Sequence, residues 1–403
     1  MKQNYHLERL NNYPFVIFHG FAGYGEQEGM NKVMPYLGVF NVNAKKLFAD
    51  YDTELYIPSM SGVSSMWDRA CEMYAQIKGG TVDYGKVHSE KYGHERYGRT
   101  FPGCLPDWGT LDAEGKMRKI NVIGHSFGGP TVRFFVNMII NGCQEEIDGT
   151  PEGELSEFFK GGHDNWIHSC TTFAGANDGI SFLYAIEKVV PPVATAVLQG
   201  LSYMAQIPAA AKFYDQNLEQ WGITRKLQTG EPRARNWKQR VQDYLYSGDC
   251  VLDDLYIHKF RERSKDWQPS DKVYYFAYYA SKTKADKNGN QKARWGMDPI
   301  MYFFSIPVGK FDGCKADENH AEIGPEWKEN DGLVNVMSGR APHSKPWTEW
   351  TGDKDLKPGI WYQMPIEDKD HMSYMGLLES RADYAIFLYD LLRRIDNLPS
   401  IDE

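Results

Sequence analysis

The stretch that decides the fold is INVIGHSFGGPTVRFF, residues 120–135. It opens with a run of strand formers, Ile120 to Ile123, and closes with apolar residues at helical spacing. Between them Ser126 is boxed by Gly124 and Gly128 in the pattern G-x-S-x-G. A serine nucleophile needs this arrangement. A sharp strand-to-helix turn forces strained backbone angles on the serine and lifts its hydroxyl off the sheet. Glycines two residues away on either side let the two backbones pass closely. The helix that follows aims its first N–H groups at the place where an oxyanion would develop. The alternative is a tight Gly-Ser turn without chemistry; the flanking strand and helix favour the elbow.

Working outward, strand-like runs at 14–20, 54–59, 119–125, 168–175, 272–280 and 360–366 alternate with helical patterns at 63–79, 129–143 and 382–396. That alternation predicts an α/β fold: a mostly parallel central sheet with helices on both faces. In the last helix Tyr384, Phe387, Leu388, Leu391 and Leu392 mark one buried face. No repeat or low-complexity linker divides the chain, so residues 1–403 read as a single domain with insertions. Two stretches do not fit a bare sandwich. Residues 81–108, rich in Gly, His, Tyr and Arg, look like an irregular insertion. Residues 180–221 are apolar, rich in small residues and broken by Pro191, Pro192 and Pro208. They form either a buried helical excursion or a movable lid that turns an apolar face to lipid.

Composition removes several function classes. Apolar residues make up 42% and charged residues 25% of the 403, ordinary for a globular protein. A net charge of -9 without a long basic run argues against nucleic acid as a partner. No segment has the roughly 18 uninterrupted apolar residues of a membrane span. The first residues, MKQNYHLERLNNYP, lack the apolar core of a signal peptide. The aromatic share of 14% suggests a wide apolar cleft. Six cysteines are scattered without a CxxC, so disulfides and free thiols both stay open.

A serine nucleophile of this kind takes its partners in the order Ser, acid, His. Among the later histidines, His320, His343 and His371 lie in loops. His371, in EDKDHMSYMG, follows the strand at 360–366 and precedes the C-terminal helix, where such a fold hangs its histidine. Asp331, in WKENDGLVNVMSG, sits in a turn and is the favoured acid. The first strand ends in HGFAGYG, a glycine-rich loop suited to aiming a backbone N–H at an oxyanion. The expected donors are the N–H groups of Phe21 and Phe127.

HGFAGYG, the long block SSMWDRACEMYAQIKGGTVDYGKVHSEKYGHERYGRTFPG, GHSFGG, WKENDGLVN and KDHM occur in this order. With them the chain resembles bacterial lipase family I.5, the thermoalkalophilic Bacillus and Geobacillus lipases, with staphylococcal lipases as relatives. The resemblance covers nearly the whole chain, and the 61–108 block is its most specific part. It implies an α/β-hydrolase fold with a helical lid at about 180–221 and a triad of Ser126, Asp331 and His371. It also implies a structural zinc site outside the triad, mapping onto Asp68 in WDRA, His88 and His94 in the inserted 61–108 region, and Asp249 in SGDC. Asp243, Asp253 and Asp254 crowd near the last. Two His and two carboxylates suit a closed tetrahedral zinc site. The chain departs from the family at Phe127, where glutamine is usual, and at Ser373 and Leu378-Glu379, where some members bind calcium; calcium is therefore not expected. The region 282–325 is least alike.

The implied function is a secreted, extracellular lipase/esterase hydrolysing triacylglycerols and shorter acyl esters at an oil–water or polymer surface; a cleft this apolar would also accept insoluble polyesters at a low rate. Val193, Val197, Leu198, Leu201, Tyr203, Met204 and Ile207 would form the acyl-facing side of the lid. An acyltransferase with the same triad and an inert binding module on the same fold are the rivals. A zinc hydrolase is disfavoured, because four protein ligands leave no open position for water.

Overall fold

Short apolar runs buried on both faces make parallel strands, because helices must cover each side of the sheet. Phe15 to Phe18 are each at most 1% exposed, and all of Ile120–His125 is buried. The computed structural model describes residues 9–204, 208–223 and 237–401. Its strands are β1 (Phe15–Phe18), β2 (Leu55–Tyr56), β3 (Gly80–Asp83), β4 (Tyr97–Phe101), β5 (Ile120–His125), β6 (Ile167–Phe173), β7 (Tyr274–Tyr278), β8 (Thr283–Ala285), β9 (Gln291–Ala293), β10 (Trp347–Glu349) and β11 (Trp361–Gln363). Seven of them form one sheet in the order β10-β11-β7-β6-β5-β1-β2, and every neighbouring pair is parallel. This is consistent with an α/β hydrolase.

Alternate strand residues feed two cores. Val16, Phe18 and Val122 point to the side covered by the helices Met66–Lys78 and Gly128–Asn141. Phe15, Ile17 and Ile123 point to the other, where Tyr384, Leu388, Leu391, Leu392 and Ile395 of the helix Arg381–Asp396 pack. Removing Leu388 down to Ala would cost about 2–5 kcal/mol, since it is fully buried.

The order of the strands also locates a crevice. The chain runs from β1 to the edge strand β2, then crosses to β5 on the other side of β1. Winding reverses between β1 and β5, and in parallel sheets ligands bind beyond the strand ends at such a switch point. Phe18 pairs with Gly124, so His19-Gly20-Phe21 and His125-Ser126-Phe127 emerge side by side.

Several sequence expectations need correction. Residues 81–108 are not irregular: β3 and β4 form an antiparallel hairpin around the helix Lys86–Tyr92. β10 escaped notice because all three of its residues are exposed at the sheet edge. A second hairpin, β8–β9, occupies part of 282–325. Pro191 and Pro192 do not break the 180–221 stretch. They open the helix Val190–Met204, where a missing N–H costs nothing. Pro208 likewise begins the helix Pro208–Phe213. Val193 and Val197 are about half exposed, whereas Leu198 is buried against Val63 and Trp221. Ile207 and the side chains of Leu201, Tyr203 and Met204 lie outside what is described. All six cysteines are free thiols. Among the described residues no helix is long and apolar enough to cross a membrane.

Candidate active site and metal cluster

Ser126 occupies the corner between β5 and the helix Gly128–Asn141 with φ +58°, a left-handed value that costs a non-glycine residue energy. Two tight crossings hold it there. A Cβ on Gly124 would lie 2.1 Å from the Gly128 carbonyl oxygen, and one on Gly128 would lie 2.0 Å from that of Phe18. Only glycine fits either place. The Ser126 N–H donates to the Phe173 carbonyl at 3.0 Å, which ties the corner to β6.

The structure brings Ser126, His371 and Asp331 together from positions 245 and 40 residues apart in sequence. The Ser126 hydroxyl donates to His371 Nε2 at 2.8 Å. His371 Nδ1 donates to Asp331 Oδ2 at 2.9 Å, and the His371 backbone N–H donates to the Asp331 carbonyl at 2.9 Å. The other carboxylate oxygen of Asp331 accepts from the N–H groups of Leu333 and Val334 at 3.0 and 2.8 Å. All three side chains are buried. Such a chain can pass a serine proton to imidazole while the carboxylate fixes the tautomer. His320 and His343, the other loop histidines, lie elsewhere: His320 bonds to Asp317 at 2.8 Å, and His343 bonds through its backbone to Asp178.

Phe21 and Phe127 flank the serine. A Cβ on Gly20 would stand 2.7 Å from the Ser126 Cβ, so the loop before Phe21 lies directly against Ser126. No protein acceptor takes the N–H of Phe21 or Phe127 among the described hydrogen bonds. Two donors beside a nucleophile without partners of their own can receive an oxyanion.

Three residues that sequence reasoning missed support this loop. The Gly20 N–H donates to the Tyr36 hydroxyl at 2.6 Å, and Tyr36 donates to His125 Nδ1 at 2.7 Å. His125 Nε2–H in turn donates to the His371 carbonyl at 3.0 Å. The carbonyl can only accept, so every donor in the chain is determined. Burial, reinforced by His371, pushes His125 down to about 3, which keeps the ring neutral as this pattern requires. Arg69 completes the support. It is buried, donates to the carbonyls of His19 and Gly20, and lies over the Phe127 ring at 4.6 Å. Burial lowers it only to about 10, so it stays charged at neutral pH. Tyr36 carries no local signal in sequence. Arg69 stands beside Asp68 in WDRA, and His125 lies inside the elbow motif itself.

Beyond the elbow, Asp68, His88, His94 and Asp249 form a buried group whose ligand atoms all lie within 4.8 Å of one another. The four His–carboxylate separations are 3.0, 3.6, 3.7 and 3.9 Å. A tetrahedral zinc with bonds of 2.0–2.2 Å has ligand–ligand edges of roughly 3.3–3.6 Å, which these separations bracket. Asp68 Oδ1 and His94 Nε2 are buried without a hydrogen-bond partner. His94 Nδ1 donates to the Glu95 carbonyl at 2.9 Å, leaving Nε2 free for an ion, and Gln220 holds the second oxygen of Asp68 at 2.6 Å. Ser65 caps the helix that presents Asp68, and the Trp67 ring stacks on His88 at 4.3 Å. Burial, then Asp249, pushes the Asp68 carboxyl up, while against its own burial Asp249 is held down by His88 and His94; two buried carboxylates facing two imidazoles suit a cation. The residues fit a structural metal. His88 sits on a helix inside the stretch expected to be irregular, and His94 follows that helix just after its left-handed cap Gly93. Asp249 is the carboxylate of the group, not Asp243, Asp253 or Asp254.

Comparison with known proteins bears on this arrangement. Residues 11–386 match the family described as lipase-like, C-terminal domain. The chain belongs to that family. It is 34% identical over 91% of its length to a lipase of Staphylococcus epidermidis and to lipase 1 of Staphylococcus aureus. It spans about half the length of these curated relatives, 50% and 51% respectively. Among solved structures, Staphylococcus hyicus lipase superposes with a TM-score of 0.80 at 29% identity, covering 96% of both chains. EstA from Clostridium botulinum gives 0.80 at 31% identity, covering 98% of this chain and 89% of its own. Lipase 1 from Pelosinus fermentans gives 0.76 at 33% identity, covering 94% and 98%. The resemblance to staphylococcal lipases read from the motifs is borne out.

Proposed function

We propose that this chain is a carboxylic-ester hydrolase that cleaves triacylglycerols and shorter acyl esters through an acyl-enzyme on Ser126. The observation that carries the reading is the Ser126–His371–Asp331 chain of 2.8 and 2.9 Å hydrogen bonds, placed beside two unengaged N–H groups.

In this mechanism Ser126 Oγ attacks the ester carbonyl carbon as its proton passes to His371 Nε2. Asp331 steadies the imidazolium through Nδ1–H. The N–H groups of Phe21 and Phe127 receive the oxyanion, a contribution on the order of 3 kcal/mol per donor. Collapse expels the alcohol, which takes the proton from His371. Water then attacks the acyl-enzyme, gives its proton to His371, and the acid leaves as Ser126 recovers that proton. Arg69, Tyr36 and His125 do not touch substrate. They position the oxyanion loop.

Asp68, His88, His94 and Asp249 would hold a structural zinc, joining the 61–108 insertion to the core. Bound there by four protein ligands, the ion supplies cross-linking of the fold. Residues 180–221 serve as a lid over the crevice, and the chain works outside the cell on lipid esters, as the family resemblance implies. Insoluble polyesters fall within the same chemistry.

The test is initial rate on p-nitrophenyl butyrate and on emulsified triacylglycerol for wild type and Ser126→Ala. Both activities should appear and drop by at least about 10³-fold in the variant. A variant that keeps the wild-type rate would remove Ser126 from the mechanism.

A further inference from the structure

Between the segment that follows β6 and the edge strands β10 and β11 lies a cavity of about 170 Å³. Asp178, Trp347 and Gln363 line it from these elements, and Arg261, Trp327 and Arg340 line it from elsewhere in the chain. None of Ser126, Asp331, His371, Phe21 and Phe127 does.

Its two arginines lack the partners that buried cations normally have. Among the described residues neither Arg261 nor Arg340 forms an ion pair, and the Nε–H of each is buried without a hydrogen-bond partner. Each guanidinium lies over an aromatic ring instead, Arg261 over Trp327 at 5.5 Å and Arg340 over Tyr279 at 5.8 Å. A ring face consumes no N–H donor. Arg340 also meets the Tyr279 hydroxyl and, at 3.8 Å, the Met337 sulfur, but both are neutral and leave its charge uncompensated. Buried donors without acceptors are rare and costly, and two around one cavity point to an acceptor brought from outside the chain.

The walls do not cancel this charge. Asp178 is the single carboxylate among the lining residues. Its Oδ2 accepts the His343 N–H at 2.9 Å, and the burial that pushes its carboxyl up is opposed first by Arg133, which is buried outside the cavity. Glu349 accepts from the Gln363 amide at 3.0 Å. Buried Lys345 interacts with Arg133, Asp178 and Asp266. Arg133, Arg261, Arg340 and Lys345 thus stand against Asp178, Asp266 and Glu349, a positive balance in a chain whose net charge is -9. The wall is also held in place. The Asn177 amide donates to the Arg340 carbonyl at 2.9 Å, and the Asp178 N–H donates to the Ser338 hydroxyl at 3.0 Å. A site fixed beforehand loses less entropy when it is filled.

The remaining lining selects the ligand. Trp327, Met337, Ala341, Pro342 and Trp347 are apolar. An apolar cavity of roughly 150 Å³ holds a benzene-sized body. A planar carboxylate fits the fork of a guanidinium, whereas a bare phosphate leaves the apolar walls uncovered.

We infer that this cavity binds an organic monocarboxylate whose apolar body is about the size of a benzene ring. The carboxylate meets Arg261 and Arg340, and the body lies among Trp327, Met337 and Trp347. The site is separate from the chemistry at Ser126 and does not depend on it.

The experiment is calorimetric titration of the full chain at neutral pH with sodium benzoate, with benzamide as its uncharged counterpart, and with sodium phosphate. The proteins are wild type, Arg261→Gln, Arg340→Gln and Trp347→Glu. Wild type should bind benzoate with a Kd of about 1 mM or tighter. Benzamide and phosphate should each bind at least about tenfold more weakly, and added salt should weaken benzoate. Each arginine variant should lose at least about tenfold in benzoate affinity. Trp347 is half exposed on an edge strand, so Trp347→Glu tests the site by repulsion without disturbing a buried arginine, and it too should lose at least about tenfold. A wild type that binds no benzoate up to about 10 mM overturns the inference. So does benzamide or phosphate binding as tightly as benzoate. Wild-type affinity in Trp347→Glu, or in both arginine variants, places the acid elsewhere and overturns it as well.

Discussion

Replacing Tyr36 with phenylalanine removes one oxygen and cuts the hydrogen-bond chain between the Gly20–Phe21 loop, the proposed oxyanion loop, and His371. Two buried groups lose their partner: the Gly20 N–H and His125 Nδ1, which Tyr36 meets at 2.6 and 2.7 Å. A buried polar group left unsatisfied costs about 1–3 kcal/mol, so the two together lower stability by about 2–6 kcal/mol before any relaxation. The loop recovers part of this by shifting Gly20 toward other acceptors, and Phe21 moves with it. Losing an oxyanion donor outright costs about 10²–10³ in kcat. A donor displaced but present should cost less, about 10–100-fold. The donor acts mainly on the tetrahedral species, so KM should change by no more than about threefold. The assays are kcat and KM on p-nitrophenyl butyrate, thermal melting, and inhibition by an alkyl boronic acid, which forms a tetrahedral adduct on the serine. Boronate affinity should fall in step with kcat. If melting temperature drops while kcat and boronate affinity stay at wild-type values, the chain through Tyr36 braces the fold and has no part in positioning the donor.

Other consequences follow from buried groups elsewhere. Stripping metal with a chelator, or His94→Ala, should lower the melting temperature markedly, and metal analysis of the untreated protein should find one zinc per chain; finding none would refute the assignment. Arg69→Met should lose both carbonyl contacts to the oxyanion loop and reduce kcat at least about tenfold with a smaller change in KM, read by the same ester assay. Glu72 is fully buried, accepting from the Ser61 N–H and the Tyr84 hydroxyl, and burial pushes its carboxyl up to about 8. Its folded pKa lies above its unfolded one, so the stability it contributes is complete below about 4.5 and is lost as pH rises through about 8. Glu72→Gln should therefore melt like wild type at pH 5 and above it at pH 9; equal melting temperatures at both pH values would show that Glu72 does not titrate in this window.

What could be read from the chain alone depended on how local each feature is. Ser126 announces itself because strand, glycines and helix are contiguous, and His371 because it follows a strand and precedes the last helix. The β3–β4 hairpin was missed because its strands are short and straddle a helix, so neither shows a long period-2 pattern. β10 has no buried residue to mark it. Tyr36 is 89 residues from His125, and Arg69 is 49 from Gly20. Nothing in their neighbourhoods hints at partners that only the closed sheet supplies. The candidate metal group is legible only through the family resemblance, since two His six residues apart in a glycine-rich stretch carry little signal.

Asp68 and Arg69 are neighbours on the first turn of one helix, the former in the candidate metal group and the latter donating to the carbonyls of His19 and Gly20. A metal held by residues 68, 88, 94 and 249 would close its site only after chain segments far apart in sequence have met. Competence for ester cleavage should then be among the last properties to emerge during refolding. A chain refolded without metal would regain its parallel sheet first and its turnover only after the ion is added, making turnover a clock for the slowest step of assembly.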